Sequence, residues 1–284
     1  MRLAIATLAI GEWEDVPEIH KPMKALAEKV GADFVKITKR EHADWHIYYE
    51  KTQIQRILKD YDWVLYLDGD VLVTPMGIAE SGMIHAAQNA NCEISLYDER
   101  SRSDYLTRSA VEDQYAIVGK KVPDWWNGRH YNAGVMLVPK EYANVFDSPI
   151  VTSMDYQDQA WLNWKIAEDR IPVDPMDWRF NCMPFASKGV DVEEAFLVHY
   201  AGWSNYVTGV KDFRGLVRAY PFVPRQWMAR RPIEMRNPLT GISGPTKTPP
   251  PGVRGTEQGG GRGGWFNASR RSRGRGARAQ RSRG

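Results

Sequence analysis

The segment Trp63 to Pro75, Trp-Val-Leu-Tyr-Leu-Asp-Gly-Asp-Val-Leu-Val-Thr-Pro, constrains this chain more than any other. Trp63 to Leu67 is a charge-free apolar run, the pattern of a strand buried on both faces. It ends in Asp68-Gly69-Asp70, and the apolar triplet Val71 to Val73 follows before Thr74-Pro75 closes the segment. In extended backbone residues i and i+2 point the same way, so Asp68 and Asp70 crowd two like charges at the end of a buried strand. A divalent cation removes that cost, and hard carboxylate oxygens suit Mg²⁺ or Mn²⁺. The bland alternative is a strand that ends in a polar turn, and an Asp-x-Asp alone does not choose between the two.

The flanking sequence predicts an α/β fold. Arg2 to Ile10 reads as a first strand ending at Gly11. Asp15 is placed to cap a helix whose Pro17 is tolerated in the first turn. Ile19, Met23, Leu26 and Val30 fall at helical spacing, and Gly31 supplies the stop. Phe34 to Ile37 is a second strand, so the chain opens as β-α-β, the start of a parallel sheet with helical crossovers. Further on, the pattern predicts helices over Glu50–Asp60, Met76–Ala90, Gln157–Glu168 and Asp212–Tyr220. Strands are predicted over Glu93–Tyr97, Tyr131–Pro139 and Phe196–His199. Asp98 to Asp113 is densely polar and reads as a surface segment able to fold over a site. His42 and His46 have an i, i+4 spacing that suits zinc on a helix, but no further ligand set lies nearby.

Charge divides the chain in two. The net charge is +3, yet nine of the 38 basic residues and only one of the 35 acidic ones lie in 252–284, which leaves the remainder at about −5. From about Asn237 the composition turns to Pro-Pro-Pro, Gly-Gly-Gly and Arg-Gly alternation with almost nothing to bury, the mark of a disordered tail. The expected organisation is a domain over 1–236 and a tail over 237–284. Two cysteines, Cys92 and Cys182, make no disulfide framework and read as small buried hydrophobes of a reducing compartment. No apolar run reaches ~18 residues and Met1-Arg2 leads straight into the first strand, so a soluble cytoplasmic protein is expected. Asn267-Ala268-Ser269 has the form of a glycosylation acceptor that such a protein would not use.

Four motifs occur in order: Asp68-Gly69-Asp70, Asn132-Ala133-Gly134-Val135, Asp158-Gln159-Ala160-Trp161-Leu162-Asn163, and His199-Tyr200-Ala201-Gly202. As an ordered set they resemble the glycosyltransferases of the GT-A fold, most closely family 8 and its relatives, over roughly residues 1 to 236. The resemblance implies an α/β/α sandwich with a mostly parallel mixed sheet and a nucleotide-diphosphate sugar donor. It further implies Mn²⁺ or Mg²⁺ and hexosyl transfer with retention of configuration to an acceptor that is a glycan, a lipid-linked sugar or a protein. By the same resemblance Asp68, Asp70 and His199 hold the metal. Thr7 and Lys51 lie where the family begins its nucleotide pocket and places a basic residue near the donor. Asn132, Gly134, Asp158 and Gln159 match its contacts to the donor sugar, Asp158 and Gln159 nearest the chemistry, and Gly202 follows the histidine. Where the family carries a lysine that grips the diphosphate, this chain has Asn205, with Lys211 further on as a substitute. The chemistry agrees: breaking a sugar–diphosphate bond builds negative charge on the leaving group, and a cation held by carboxylates offsets it.

Three other readings compete. In a phosphatase of the haloacid dehalogenase type, Asp68 would be the nucleophile and Asp70 the general acid, but the motif lies far into the chain and no late acidic pair follows. A sugar-nucleotide pyrophosphorylase would need a glycine-rich, arginine-bearing first loop that is missing. Outside enzymes, the Arg-Gly tail suits weak binding to RNA or another anionic surface, although only Trp265 and Phe266 offer stacking groups there. Trp125-Trp126 is either packing or a stacking platform for an acceptor sugar.

Overall fold

In the computed structural model, alternation along the strands sorts the apolar residues into two layers. The structure describes residues 1–90, 93–101, 112, 115–116, 119–126, 128–147, 157–183 and 192–201. All of them belong to the compact unit Met1–Lys247, which is distinguished from Thr248–Gly284. Strand β1 (Leu3–Leu8) is buried along its whole length. Leu3 and Ile5 face one side, where helix α1 (Pro17–Val30) packs through Ile19, Met23, Leu26 and Val30; Ala4, Ala6 and Leu8 face the other. The spacing of two in the strand and of three or four in the helix is what lets both elements bury one stripe each. Gly31 ends α1 at φ 66°, the left-handed conformation that a residue without Cβ adopts at no steric cost.

Strand β2 (Asp33–Ile37) pairs parallel to β1, and β3 (Trp63–Leu67) pairs parallel to its other edge. After β3 come β4 (Val71–Val73), β5 (Ile94–Asp98), β6 (Tyr131–Pro139), β7 (Val173–Pro175) and β8 (Leu197–His199). The main sheet has the order β2-β1-β3-β6-β5-β7, with β6 antiparallel to both neighbours and β7 parallel to β5. A second, two-stranded sheet pairs β4 with β8 antiparallel, Val71 opposite His199. On the α1 side the layer closes over β4 and β8; on the opposite side α2 (Ile54–Ile57) and the helix Gln157–Glu168 lie on Val64, Tyr66, Met136 and Val138. The result is the expected α/β/α sandwich on a mixed sheet.

Several boundaries move for identifiable reasons. The first helix begins at Pro17 with Val16 as its cap residue, so Asp15 does not cap it. The predicted helix Glu50–Asp60 is instead a 3₁₀ run, Ile47–Gln53, passing into the single turn of α2. Its tight winding aligns residues three apart. Glu50 and Gln53 therefore turn inward together, bonded at 2.8 Å, while the Glu50 carboxylate accepts the backbone N–H groups of Glu41 and His42 at 3.0 Å each. The predicted helix Met76–Ala90 divides into α3 (Pro75–Ala79) and α4 (Gly82–Ala90), and the Thr74 hydroxyl caps α3 by accepting from Gly77 N–H. Strand β7, with one apolar residue and a proline, carries no pattern of its own and forms only because an edge position tolerates proline. Tyr131–Pro139 and Gln157–Glu168 coincide with their expected spans; the latter is helix α5. The expected helix Asp212–Tyr220, residues 102–111 and 113 of the 98–113 segment, Cys92 and the whole 237–284 tail lie outside the described residues.

Candidate functional site

The turn between β3 and β4 brings the two aspartates to the carboxyl end of the sheet. Asp68 N–H donates to Gly134 O of the adjacent β6 at 2.8 Å, and Val71 N–H closes the turn onto Asp68 O at 3.0 Å. Between them, Gly69 passes so near other backbone that a Cβ there would meet Leu8 O at 3.1 Å and the Trp13 ring at 3.2 Å. Because β4 pairs with β8, His199 arrives beside Val71, and Tyr200 N–H donates to Asp70 O at 3.1 Å. One ligand atom from each of Asp68, Asp70 and His199 then lies within 4.8 Å of the others, and no other group of three or more potential metal-ligating side chains is found among the described residues. His42 and His46 instead lie against Trp45 and Tyr48.

A fixed cation adjoins this cluster. Lys51, turned inward by the 3₁₀ run, places Nζ 3.1 Å from Asp68 Oδ2, 2.9 Å from Asp158 Oδ2 and 3.3 Å from Ala133 O. Burial pushes its pKa down, but Asp158 and Asp68 outweigh that, so it stays protonated to a pH above the ordinary lysine range. Tyr66 O–H donates to the other Asp68 oxygen at 2.7 Å. Burial still holds the Asp68 carboxyl above its ordinary range, against the pull of Lys51. At Asp70 the balance reverses: burial raises it, and His199, whose Nε2 lies 3.4 Å from Oδ1, more than offsets that and holds it low. His199 is raised in turn, because Asp70 overcomes the effect of its burial. The cluster therefore sets Lys51 and the His199 ring among three carboxylates, Asp68, Asp70 and Asp158. Two hard oxygen donors and one imidazole, drawn from elements far apart in sequence, are a donor set that fits Mn²⁺ or Mg²⁺.

Behind the cluster runs a buried polar network. Asn132 Oδ1 accepts from Gly134 N–H at 2.8 Å and from Asn181 Nδ2 at 2.9 Å, and its Nδ2 donates to Glu99 Oε1 at 2.7 Å. Gln159 Oε1 accepts from Ala133 N–H at 3.1 Å, while Nε2 reaches Glu99 Oε2 at 3.1 Å and His130 Nε2 at 3.0 Å. Asn163 clamps the edge of β6 by bonding both backbone groups of Tyr131 at 2.7 Å. Thr7 lies wholly buried in β1, and its hydroxyl finds no partner among the described residues.

Of the residues singled out in the sequence, Asp68, Asp70, His199, Lys51 and Asp158 thus meet around one centre. Asn132, Gly134 and Gln159 join it from behind, Thr7 sits inside the sheet, and Gly202, Asn205 and Lys211 lie outside the described residues. Glu99, Tyr66 and Asn181 are contributors that sequence reasoning missed. Glu99 stands within a stretch whose polarity reads as surface, and Asn181 carries no periodic signal at all. Trp125 and Trp126 line a cleft of about 350 Å³ with Arg129, Tyr131 and Arg170, which shares no lining residue with the cluster. Trp125 is held there by Arg170, whose guanidinium lies 4.3 Å from its ring centre.

No protein-family model and no curated protein matches the chain. Among solved structures it is similar to a glycosyltransferase involved in glycosylation of the major capsid of PBCV-1, at 16% identity over 77% of this chain and 100% of that one, TM-score 0.48. It is also similar to galactosyltransferase LgtC in complex with donor and acceptor sugar analogs, at 18% identity over 80% and 99%, TM-score 0.44. A third similarity is to mouse xyloside xylosyltransferase 1 in its apo form, at 12% identity over 71% and 98%, TM-score 0.42.

Proposed function

We propose that this chain is a metal-dependent glycosyltransferase of the GT-A type. It would move a hexosyl group, with retention, from a nucleotide-diphosphate sugar to an acceptor. The observation that carries the reading is the convergence of Asp68, Asp70 and His199 within 4.8 Å at the carboxyl end of the central strands. A bound Mn²⁺ or Mg²⁺ would supply charge neutralisation to the departing diphosphate. Asp68, Asp70 and His199 would hold it, Lys51 adds a fixed positive charge beside it, and Asn132, Gly134, Asp158 and Gln159 form the wall on which the donor sugar lies. In this reading Thr7 and Gly202 border the nucleotide, the domain runs over 1–236, and the tail 237–284 takes no part in the chemistry.

The phosphatase reading gains less support. Both Asp68 oxygens are engaged, by Tyr66 O–H and Lys51, which weakens a nucleophile, and that reading gives His199 no task. Among the described residues no helix is long and apolar enough to cross a membrane.

The test is a donor-hydrolysis screen over common sugar nucleotides with and without Mn²⁺. Hydrolysis of one donor class that depends on Mn²⁺, and falls by orders of magnitude in Asp70→Asn and His199→Ala, supports the assignment. Full activity in His199→Ala, or an aspartyl-phosphate trapped on Asp68, would sink it. Truncation after residue 236 leaves turnover unchanged if the domain boundary is right.

A further inference from the structure

The orientation of His199 is set by residues that do not face the cluster. Asn181 lies just before Cys182, which bridges to Val198 in parallel register, with Cys182 N–H donating to Leu197 O at 3.1 Å and His199 N–H to Cys182 O at 2.8 Å. This rung puts the Asn181 side chain against the far edge of the imidazole, Oδ1 2.9 Å from Nδ1. Asn181 is wholly buried, and so is the ring apart from 4% of its side-chain surface.

The polarity of this contact follows from a backbone group that has no choice. Gly134 N–H can only donate, so the Asn132 atom 2.8 Å from it is the oxygen. The Asn181 atom 2.9 Å from that same oxygen is then the amide nitrogen, and the other end of the Asn181 amide, toward His199, is its oxygen. An oxygen there requires a proton on Nδ1. The carboxylate of Glu99, accepting from Asn132 Nδ2 at 2.7 Å, enforces the same direction from the opposite end. We infer that Asn181, aligned through Asn132 by Gly134 N–H, is a positioning residue that keeps the proton of His199 on Nδ1 and leaves Nε2, the nitrogen beside Asp70, bare for a divalent cation. Without this relay the neutral ring would carry its proton on Nε2, where Asp70 Oδ1 at 3.4 Å offers an acceptor, and the donor atom would be blocked. Hydrogen bonds of this kind to the second nitrogen of a ligating histidine commonly change metal affinity by about ten- to a hundredfold.

This inference rests on the cation reading, and its test separates the two. In histidine-selectively ¹⁵N-labelled, metal-free full-length chain, at a pH where the ring is neutral, the His199 resonances should show hydrogen on Nδ1 and none on Nε2. The opposite tautomer in the native chain overturns the relay, and this measurement needs no variant to fold. In Asn181→Leu the tautomer should shift toward Nε2–H and Mn²⁺ affinity, read by titration calorimetry, should fall about tenfold or more. Asn181→Asp, which restores an acceptor, should return the proton to Nδ1. Native affinity and native tautomer in Asn181→Leu would overturn the proposal. A native chain that binds no Mn²⁺ would overturn the cation reading, with the tautomer still deciding the relay.

Discussion

Gly134 leaves out a side chain where His199 needs room. A Cβ at 134 would stand 2.7 Å from His199 Nε2 and 2.9 Å from Nδ1, closer than real Cβ atoms come. The imidazole therefore lies against bare backbone of β6, and that same residue's carbonyl anchors Asp68. Gly134→Ala should push the ring out of the cluster. The expected result is a loss of Mn²⁺ affinity of at least tenfold, with strand β6 still formed. Calorimetry beside far-ultraviolet circular dichroism checks both halves, and undiminished Mn²⁺ binding would show that the ring need not stay where it is.

Lys51 joins two carboxylates that would otherwise face each other. Its side chain is 11% exposed, as is that of Asp158. Replacing Lys51 with Met keeps the stem and removes the charge, so Asp68 and Asp158 lose their buried counterion. Breaking a buried pair from one side costs about 3 kcal/mol or more, and urea unfolding of metal-free protein should register that loss. Mn²⁺ should stabilise this variant more than it stabilises the native chain, since Asp68 is released from its competing cation. Equal stability of variant and native protein without metal would mean that the ion pair contributes nothing net.

How far the chain could be read in advance depended on whether local pattern or distant contact decided each residue. Trp63–Leu67, Tyr131–Pro139 and Gln157–Glu168 announce themselves by apolar spacing, and Asp68 with Asp70 by the cost of two like charges beside a buried run. By its apolar spacing the stretch around Lys51 reads as an α-helix, whereas the inward turn of Glu50 and Gln53, held by Glu41 and His42 from a preceding loop, winds it as 3₁₀. Glu99 reads as surface because its neighbours are charged; its partners, Asn132 and Gln159, are 33 and 60 residues away. Asn181 is placed by its neighbour's bridge to β8 and by its own N–H closing the turn Trp178–Phe180 onto Trp178 O at 3.1 Å, neither of which leaves a pattern in the sequence. Such residues become visible only when strands that are remote in sequence lie side by side.

Thr7 makes a sharp case because its hydroxyl is buried without a partner among the described residues. Val has nearly the same shape and carries no polar atom, so Thr7→Val should be neutral or stabilising by up to about 1 kcal/mol. Thermal melting checks this. If the hydroxyl instead serves the nucleotide, the variant should bind donor more weakly while its melting temperature is unchanged or higher, a split that packing alone does not produce.

Glu99 gives the site a dependence on pH that can be signed in advance. Its carboxyl is pushed above the usual glutamate range by burial, which outweighs the hydrogen bonds from Asn132 and Gln159 that pull it down. The folded protein therefore keeps this proton to a higher pH than the unfolded chain does. The resulting stabilisation is complete below the ordinary glutamate pKa of 4.5 and is lost as pH rises through the folded value. Glu99→Gln carries no titrating proton at this position, so it lacks that slope, although one end of its amide must now oppose a donor from Asn132 or Gln159. The stability of the native chain relative to Glu99→Gln should consequently fall with pH above 4.5 and then level off. Urea unfolding of both proteins in buffers from acid to neutral pH measures the difference. A gap that widens in favour of the native chain as pH rises would mean that the folded state prefers the ionised carboxylate, and that the hydrogen bonds, not burial, control this residue.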